Sequence, residues 1–263
     1  MRIVWLASVL AACKAPPEAP EDLGDLSRYL YREWDAEDPE VVRVGLTNLV
    51  TFLSDHDLTG NVNDRAWTLP DLTDEDVAGV DHPDRDLTAL AGVSVAFESV
   101  WPIEDHANVQ VQADQTPYEP TAPDHYDRVF VDPTDPSCFP VRGCERLDTV
   151  NDATRQNVLM HVTFELFKDF RSLDLDDGWA IISRSWFDQP WPGDDGKVTL
   201  FQSYSTDVWI ARGDHTWRFQ SLWSESDLGF AASDETVVAT VKVATDGIYE
   251  RVDEQIAASR AAE

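Results

Sequence analysis

Residues Val198–Ser224, VTLFQSYSTDVWIARGDHTWRFQSLWS, consist of two alternating segments on either side of Gly213-Asp214. Alternation with a period of two is typical of strands that bury one face, and a Gly-Asp pair between two such segments favours a tight turn. With the turn placed there, the residues that oppose each other on one side are all apolar. The pairs are Ile210 with Trp217, Val208 with Phe219, and Tyr204 with Trp223.

The other side of this hairpin carries mixed side chains. Trp209 lies opposite Arg218, and Asp207 lies opposite Gln220. Antiparallel sheets commonly have one face packed on a core and one more polar face. We therefore expect an antiparallel sheet with a dry face and a wetter face.

Six further segments are predicted as strands from residue type and alternation. They are Val93–Glu98, Val109–Ala113, Asp127–Val131, Glu145–Asn151, Val158–Phe170 and Gly178–Phe187. The segment Val158–Phe170 fits both the helical and the strand period. We interpret it as a strand because a turn-like segment ending at Gly178 and an apolar return segment follow it.

Helices are predicted on both sides of these strands. A short helix is expected at Asp25–Trp34, and a longer one behind the Asp38 N-cap and Pro39, ending near Asp55. Thr73 begins a further short helix. A long helix follows Ser233 with an apolar stripe that needs a sheet to cover. The stripe consists of Val237, Val241, Ala244, Ile248, Val252 and Ile256.

The fold class is therefore α+β, with N-terminal helices followed by a curved, mainly antiparallel sheet that a long C-terminal helix closes. We divide the folded unit 25–263 into a helical segment, 25–90, and a sheet with its helix, 91–263. The element order over roughly residues 90–259 resembles the helix-grip or START-like fold. That resemblance implies a ligand cavity between the sheet and the C-terminal helix.

The first thirteen residues have the parts of a bacterial export signal. A charged start, Met1-Arg2, precedes an apolar run that is too short to span a bilayer. The quartet Leu10-Ala11-Ala12-Cys13 resembles the lipobox of bacterial lipoproteins, which implies removal of residues 1–12 and acylation of Cys13. An accidental apolar start with a buried cysteine is the alternative interpretation.

By the same resemblance, the protein would be anchored in a lipid bilayer through Cys13, and Lys14 in the next position favours the outer membrane. Several acyl chains make such an attachment stable, whereas one holds a protein only marginally. Residues 13–24 contain three prolines and several acidic residues, which is typical of an extended, solvated tether.

Two cysteines remain after lipidation, Cys138 and Cys144, in a loop that also contains proline and glycine. In an exported protein such a pair favours a disulfide. Metal binding is the alternative, but no second Cys or His pair stands at zinc spacing.

The net charge of −30, from 50 acidic and 20 basic residues, excludes one large class of function. Nucleic-acid binding requires cations that face phosphates, so a nucleic-acid partner is not expected. The hydrophobic content of 43% is high enough for a packed core.

No catalytic motif occurs in the sequence, and we predict no catalytic residue, metal site or cofactor. His161 and Glu165 would share one strand face, and Arg184 and Trp186 on the next strand are candidates for the same side. Trp191, flanked by prolines, is the best candidate for an exposed tryptophan. These five residues are the candidates for ligand contacts. For His161 and Glu165 we favour the alternative of a polar pair on the wetter face, because no third ligand can be named for a metal or catalytic site.

Three hypotheses on function follow from these patterns. The favoured one is a non-catalytic, lipid-anchored envelope protein that binds a small apolar ligand or another envelope component. The second is a carbohydrate-active enzyme or glycan-binding lipoprotein, because ten tryptophans accompany abundant carboxylates. The third is a purely structural or interaction protein.

Overall fold

Nine strands form one curved antiparallel sheet in the computed structural model, which describes residues 17–156, 161–194, 196–227 and 234–262. Across the sheet the order is β1-β2-β9-β8-β6-β5-β4-β3, and the short β7 pairs with β8. The strands are β1 Ala66–Thr68, β2 Ala91–Ser99, β3 Tyr126–Asp132, β4 Arg146–Gln156, β5 His161–Leu175, β6 Gly178–Trp186, β7 Trp191–Pro192, β8 Thr199–Arg212 and β9 His215–Asp227.

Helices lie before, within and after the run of strands. They are α1 Leu23–Arg32, α2 Pro39–Ser54, α3 Asp74–Val77, α4 Ile103–Gln110 and α5 Asp234–Ala261. The side chain of Asp22 accepts hydrogen bonds from the first turn of α1, and Asp38 does the same for α2. These carboxylates satisfy backbone N–H groups that have no partner inside the helix, which explains where both helices begin.

The β8–β9 hairpin has the register that the sequence predicts. Ile210 pairs with Trp217, Val208 with Phe219, and Tyr204 with Trp223. Gly213 in the turn has a φ of 72°, a conformation that glycine adopts without steric cost. The prediction of the hairpin is therefore confirmed.

The dry face of the sheet packs against α1 and α2, and we call it the outer face. Leucines of both helices form one buried cluster with Val208, Ile210 and Phe219. Trp34, which follows α1, is 2% exposed, and its indole N–H donates to the carbonyl oxygen of Ile182 at 3.1 Å. The N-terminal helices thus form a layer that covers this face and excludes water from it.

The opposite face of the sheet, which we call the inner face, is covered by α5. Tyr249 packs with Val93 and Val95 of β2, while Val252 and Ile256 pack with Val109 of α4. The three-layer order is therefore N-terminal helices, sheet and C-terminal helix, and the fold belongs to the predicted α+β class.

One predicted strand is wrong. The segment Val109–Ala113 is expected from its alternation to be extended, but α4 occupies Ile103–Gln110. The helix follows Pro102, and Glu104 and Asp105 in its first turn complement the helix dipole. A five-residue apolar alternation is too short to distinguish the two periods.

The remaining predicted elements agree with the structure to within a few residues, and the described part of Val158–Phe170 is a strand. The proposed signal, residues 1–12, and Cys13 lie outside the described residues. Among the described helices, none combines the length and apolar character that a membrane span requires.

Candidate functional site

A cavity of about 300 Å³ lies between the inner face of the sheet and the N-terminal half of α5. It exists because short side chains occupy the central strands where larger ones would meet the helix. Ser185 of β6, Ser203 and Ser205 of β8, and Ser224 of β9 all line it. The hydroxyl oxygens of Ser185 and Ser205 are 2.7 Å apart, so these two polar groups satisfy each other.

Apolar side chains form the walls around this serine floor. On the sheet side they are Phe164 and Leu166 of β5, Phe187, Leu200 and Leu222. On the helix side they are Val241, Ala244 and Ile248 of α5. Apolar walls with a few polar groups are typical of small-molecule sites, and this volume lies at the lower end of their usual range of about 300–1,000 Å³.

A smaller space of about 90 Å³ adjoins the cavity toward α4, and we call it the deep chamber. Lys168, Asp207 and Gln220 line both spaces, whereas Arg128 and Arg218 line only the deep chamber. The wetter face predicted for the hairpin is therefore the lining of this site. Asp207 and Arg218 are buried under α5 rather than exposed to solvent.

The carboxylate of Asp207 organises the chamber. It accepts hydrogen bonds from the Lys168 ammonium at 2.7 Å, the Ser183 hydroxyl at 3.2 Å and the Gln220 amide at 2.6 Å. The Gln220 amide oxygen accepts in turn from the Thr245 hydroxyl of α5 at 2.9 Å. This chain of hydrogen bonds fixes α5 over the sheet at the level of the chamber.

Two arginines complete the chamber, and neither has a carboxylate partner among the described residues. Arg128 donates from Nε to the Asn151 amide oxygen at 2.8 Å and from Nη1 to the Gln110 carbonyl at 2.6 Å. The guanidinium of Arg218 lies 4.0 Å from the centre of the Tyr249 ring. Burial lowers the pKa of both arginines, because removal from water disfavours the charged form.

The sequence predicted other ligand contacts, and the structure places them elsewhere. Arg184 lies between Trp34 and Trp186 on the outer face, with ring centres 4.9 and 5.4 Å from its guanidinium carbon. His161 is exposed and pairs with Asp194.

The other two candidates are also away from the cavity lining. Glu165 is half-buried on β5, two residues before Phe167, which pairs across the sheet with Trp186. Trp191 packs at the edge of the Phe164–Phe187 cluster. Of the five candidates, the structure brings Arg184 and Trp186 into contact with each other, and their role in ligand binding stays a prediction.

Sequence reasoning missed the chamber residues Arg128, Lys168, Asp207 and Arg218. A signal was present, because Asp207 and Arg218 lie on the same side of the predicted hairpin. Two charged residues that alternate with large apolar ones on adjacent strands indicate either a solvated face or a buried polar site. Only the position of α5 distinguishes these two cases.

The predicted disulfide between Cys138 and Cys144 is confirmed, with Cα atoms 5.4 Å apart. It closes a loop beside Phe139, which is fully buried against Phe170 at the end of the sheet. Within the described residues, no group of three or more His, Cys, Asp or Glu side chains has an arrangement suited to a metal ion.

Two carboxylates, those of Asp169 and Asp148, lie on the outer face near Arg184. Asp169 of β5 pairs across the sheet with Asp148 of β4 and with Arg184 of β6. Burial, and secondly the charge of Asp148, raise the pKa of Asp169 to about 7. This carboxyl group therefore changes its charge near neutral pH.

Comparison with known proteins gives similarities in architecture alone. No protein-family model matches the chain, and no curated protein matches it. A solved structure of TTHA0849 from Thermus thermophilus overlaps with a TM-score of 0.43 at 12% identity, covering 64% of this chain and 98% of that one. A STAR-related lipid transfer protein from Xanthomonas axonopodis gives 0.42 at 13% identity, covering 64% and 86%.

A third solved structure, Ara h 8.0201, overlaps with a TM-score of 0.39 at 13% identity, covering 64% of this chain and 99% of that one. The part of this chain outside these overlaps is about a third of its length. Because all three overlaps are low, we take neither a ligand nor an activity from them.

Proposed function

We propose that the folded domain is a non-catalytic binding domain that holds a small, mainly apolar ligand in the cavity between the sheet and α5. The observation that carries this proposal is the space that the serine floor leaves under the helix. Filling it with a ligand would remove apolar wall surface from water, which is the main driving force for binding of apolar molecules.

A glycan is less compatible with this site than an apolar ligand. The glycan hypothesis rests on the tryptophans, but the aromatic residues among the described lining of the main cavity are Tyr126, Phe164 and Phe187, and none is a tryptophan. Trp223 of the hairpin is fully buried against Tyr31 on the outer face. Core packing accounts for that tryptophan.

The binding proposal is tested with N-phenyl-1-naphthylamine, an uncharged dye whose fluorescence increases in apolar surroundings. Ala244→Phe places a ring in the cavity from α5, and Ala257→Phe makes the same change at an exposed position of the same helix. We expect the wild type and Ala257→Phe to bind the dye alike, and Ala244→Phe to bind it at least tenfold more weakly. Equal binding by all three proteins would contradict the proposal.

We further propose that the protein is a bacterial outer-membrane lipoprotein anchored through Cys13. Support comes from the lipobox-like quartet Leu10-Ala11-Ala12-Cys13 and from the proline-rich segment that precedes α1. In this arrangement the tether, of about 3 Å per extended residue, separates the cavity from the bilayer. The domain would then exchange its ligand with another envelope component or with the membrane itself.

Intact-mass analysis of the membrane fraction tests the anchor. We expect a chain that begins at Cys13 and carries acyl mass, and we expect Cys13→Ser to lose that mass and leave the membrane. Export of Cys13→Ser distinguishes loss of acylation from loss of translocation. A wild-type chain that still begins at Met1 without acyl mass would overturn the anchor proposal.

A further inference from the structure

The deep chamber has a local charge opposite to that of the protein. Its lining includes three cationic side chains, Arg128, Lys168 and Arg218, against two carboxylates, Asp207 and Glu119. The whole chain has a net charge of −30. Burying three cations in one site costs free energy unless something compensates for their removal from water.

The two carboxylates are already engaged. Asp207 is the partner of Lys168, as described above, and Glu119 is half-buried and accepts from the backbone and hydroxyl of Thr121. Neither Arg128 nor Arg218 forms an ion pair with another residue in the described part of the chain. The chamber therefore has an excess of positive charge at its inner end.

One further carboxylate, that of Asp253, interacts electrostatically with Arg218. Asp253 of α5 accepts a hydrogen bond from the Ser99 hydroxyl at 2.8 Å. Burial raises the pKa of Asp253, so its environment favours the neutral form more than bulk water does. Asp253 and Arg218 interact electrostatically without a direct ion pair, so Asp253 offsets part of the charge of Arg218 but leaves its Nε without an acceptor.

Three hydrogen-bond donors around the chamber have no partner among the described residues. They are Nε of Arg218, Nε1 of Trp209 and the hydroxyl of Tyr249. All three side chains line the chamber and are at most 4% exposed. A buried donor without an acceptor costs free energy, so three of them around one space indicate that an acceptor belongs there.

We propose that the ligand of this protein carries a carboxylate, which binds in the deep chamber against Arg218, Trp209 and Tyr249. The apolar body of the ligand then extends into the main cavity under Ala244. The inference rests on the proposed binding function and adds the chemical class of the ligand, an amphiphilic organic acid. An ionised carboxylate has two acceptor oxygens with about four lone-pair sites, so it can accept from all three donors.

Three ligands with the same alkyl chain test this proposal by displacement of N-phenyl-1-naphthylamine at concentrations below micelle formation. They are dodecanoate, 1-dodecanol and dodecylamine. A hydrogen bond to a charged group contributes enough for roughly a tenfold preference. We therefore expect dodecanoate to displace the dye at about tenfold lower concentration than dodecanol, and dodecylamine to be the weakest. 1-Naphthoate, measured in the same assay, shows whether the carboxylate that binds belongs to a compact aromatic acid or to a long-chain acid.

Variants of Arg218 assign the preference to the chamber. Arg218→Met removes the charge but keeps an unbranched side chain, Arg218→Lys keeps a charge, and Arg251→Met changes the net charge equally at an exposed position of α5. We expect Arg218→Met to bind dodecanoate and dodecanol alike, and Arg218→Lys and Arg251→Met to retain a preference for dodecanoate. Circular dichroism spectra and melting temperatures show whether each variant is folded.

The outcomes separate this inference from the proposed function. The carboxylate proposal would be overturned if the wild type bound dodecanol and the dye well but showed no preference for dodecanoate. The proposal of an apolar binding cavity would then still stand. A preference that survives in a folded Arg218→Met would overturn the carboxylate proposal as well. A folded wild type that does not bind the dye, and whose melting temperature none of the ligands raises, would overturn both proposals.

Discussion

The buried carboxylate of Asp207 should contribute more to stability than any exposed acidic residue of this chain. Its oxygens accept from Lys168 at 2.7 Å, Gln220 at 2.6 Å and Ser183 at 3.2 Å, and the residue is 6% exposed. Asp207→Asn keeps the shape but leaves the Lys168 ammonium, whose side chain is 14% exposed, without a counterion. Breaking a buried ion pair in this way costs about 3–5 kcal/mol.

Urea unfolding followed by tryptophan fluorescence measures this loss. We expect the free energy of unfolding of Asp207→Asn to fall by about 3–5 kcal/mol, and we expect Lys168→Met in the same background to restore part of it, since the second buried charge is then gone. Asp176→Asn, in the exposed turn between β5 and β6, is the matched control and should change stability by less than about 0.5 kcal/mol. A loss below about 1 kcal/mol for Asp207→Asn, or strictly additive effects in the double variant, would refute this reasoning.

Three further predictions concern the rest of the fold. Because the folded-state pKa of Asp169 is raised to about 7, mainly by burial, its ionisation opposes folding as the pH rises from about 4 through 7. Asp169→Asn should therefore be more stable than the wild type by about 1–2 kcal/mol at pH 8, after allowance for solvent screening. At pH 5 the difference should be smaller, and melting temperatures at both pH values measure it. Replacing Cys138 and Cys144 together by serine should lower the free energy of unfolding by about 2–3 kcal/mol in urea, close to the effect of reducing the wild type, and no difference on reduction would contradict a structural disulfide. Trp34→Ala should lower the free energy of unfolding by about 3–5 kcal/mol in the same assay, because it empties the space between α1 and the outer face. A loss below about 1 kcal/mol would show that this layer is not packed as described.

Much of the sheet could be predicted from the sequence because local patterns determine it. The β8–β9 hairpin has alternating residues and a glycine turn, and both constraints give the same register. The prediction for Val109–Ala113 is wrong because five residues do not separate the strand period from the helical one. The helix there is decided by its start after Pro102 and by packing against Val252 of α5, and the second of these is a contact between residues far apart in sequence.

The candidate site was less predictable than the fold. Which face of a sheet is covered depends on where distant helices pack, and the sequence does not specify this. Trp34 and its helices cover the apolar face, so Arg184 and Trp186 lie on the outer side. Asp207 and Arg218 belong to the wetter side, and only the position of α5 above them makes them a candidate site. The serines of the floor carry no signal in the sequence, since isolated serines are common on exposed strand faces.

In the proposed complex, the space under α5 binds an amphiphilic acid with its carboxylate in the deep chamber. The most direct measurement is a set of intermolecular nuclear Overhauser effects between ¹³C-labelled dodecanoate and the methyl groups of the protein. We expect cross-peaks from the alkyl chain to Leu222, Val241 and Ile248, which line the cavity. Cross-peaks only to Val129 and Val131, which are 60% and 53% exposed on the edge strand β3, would contradict the claim.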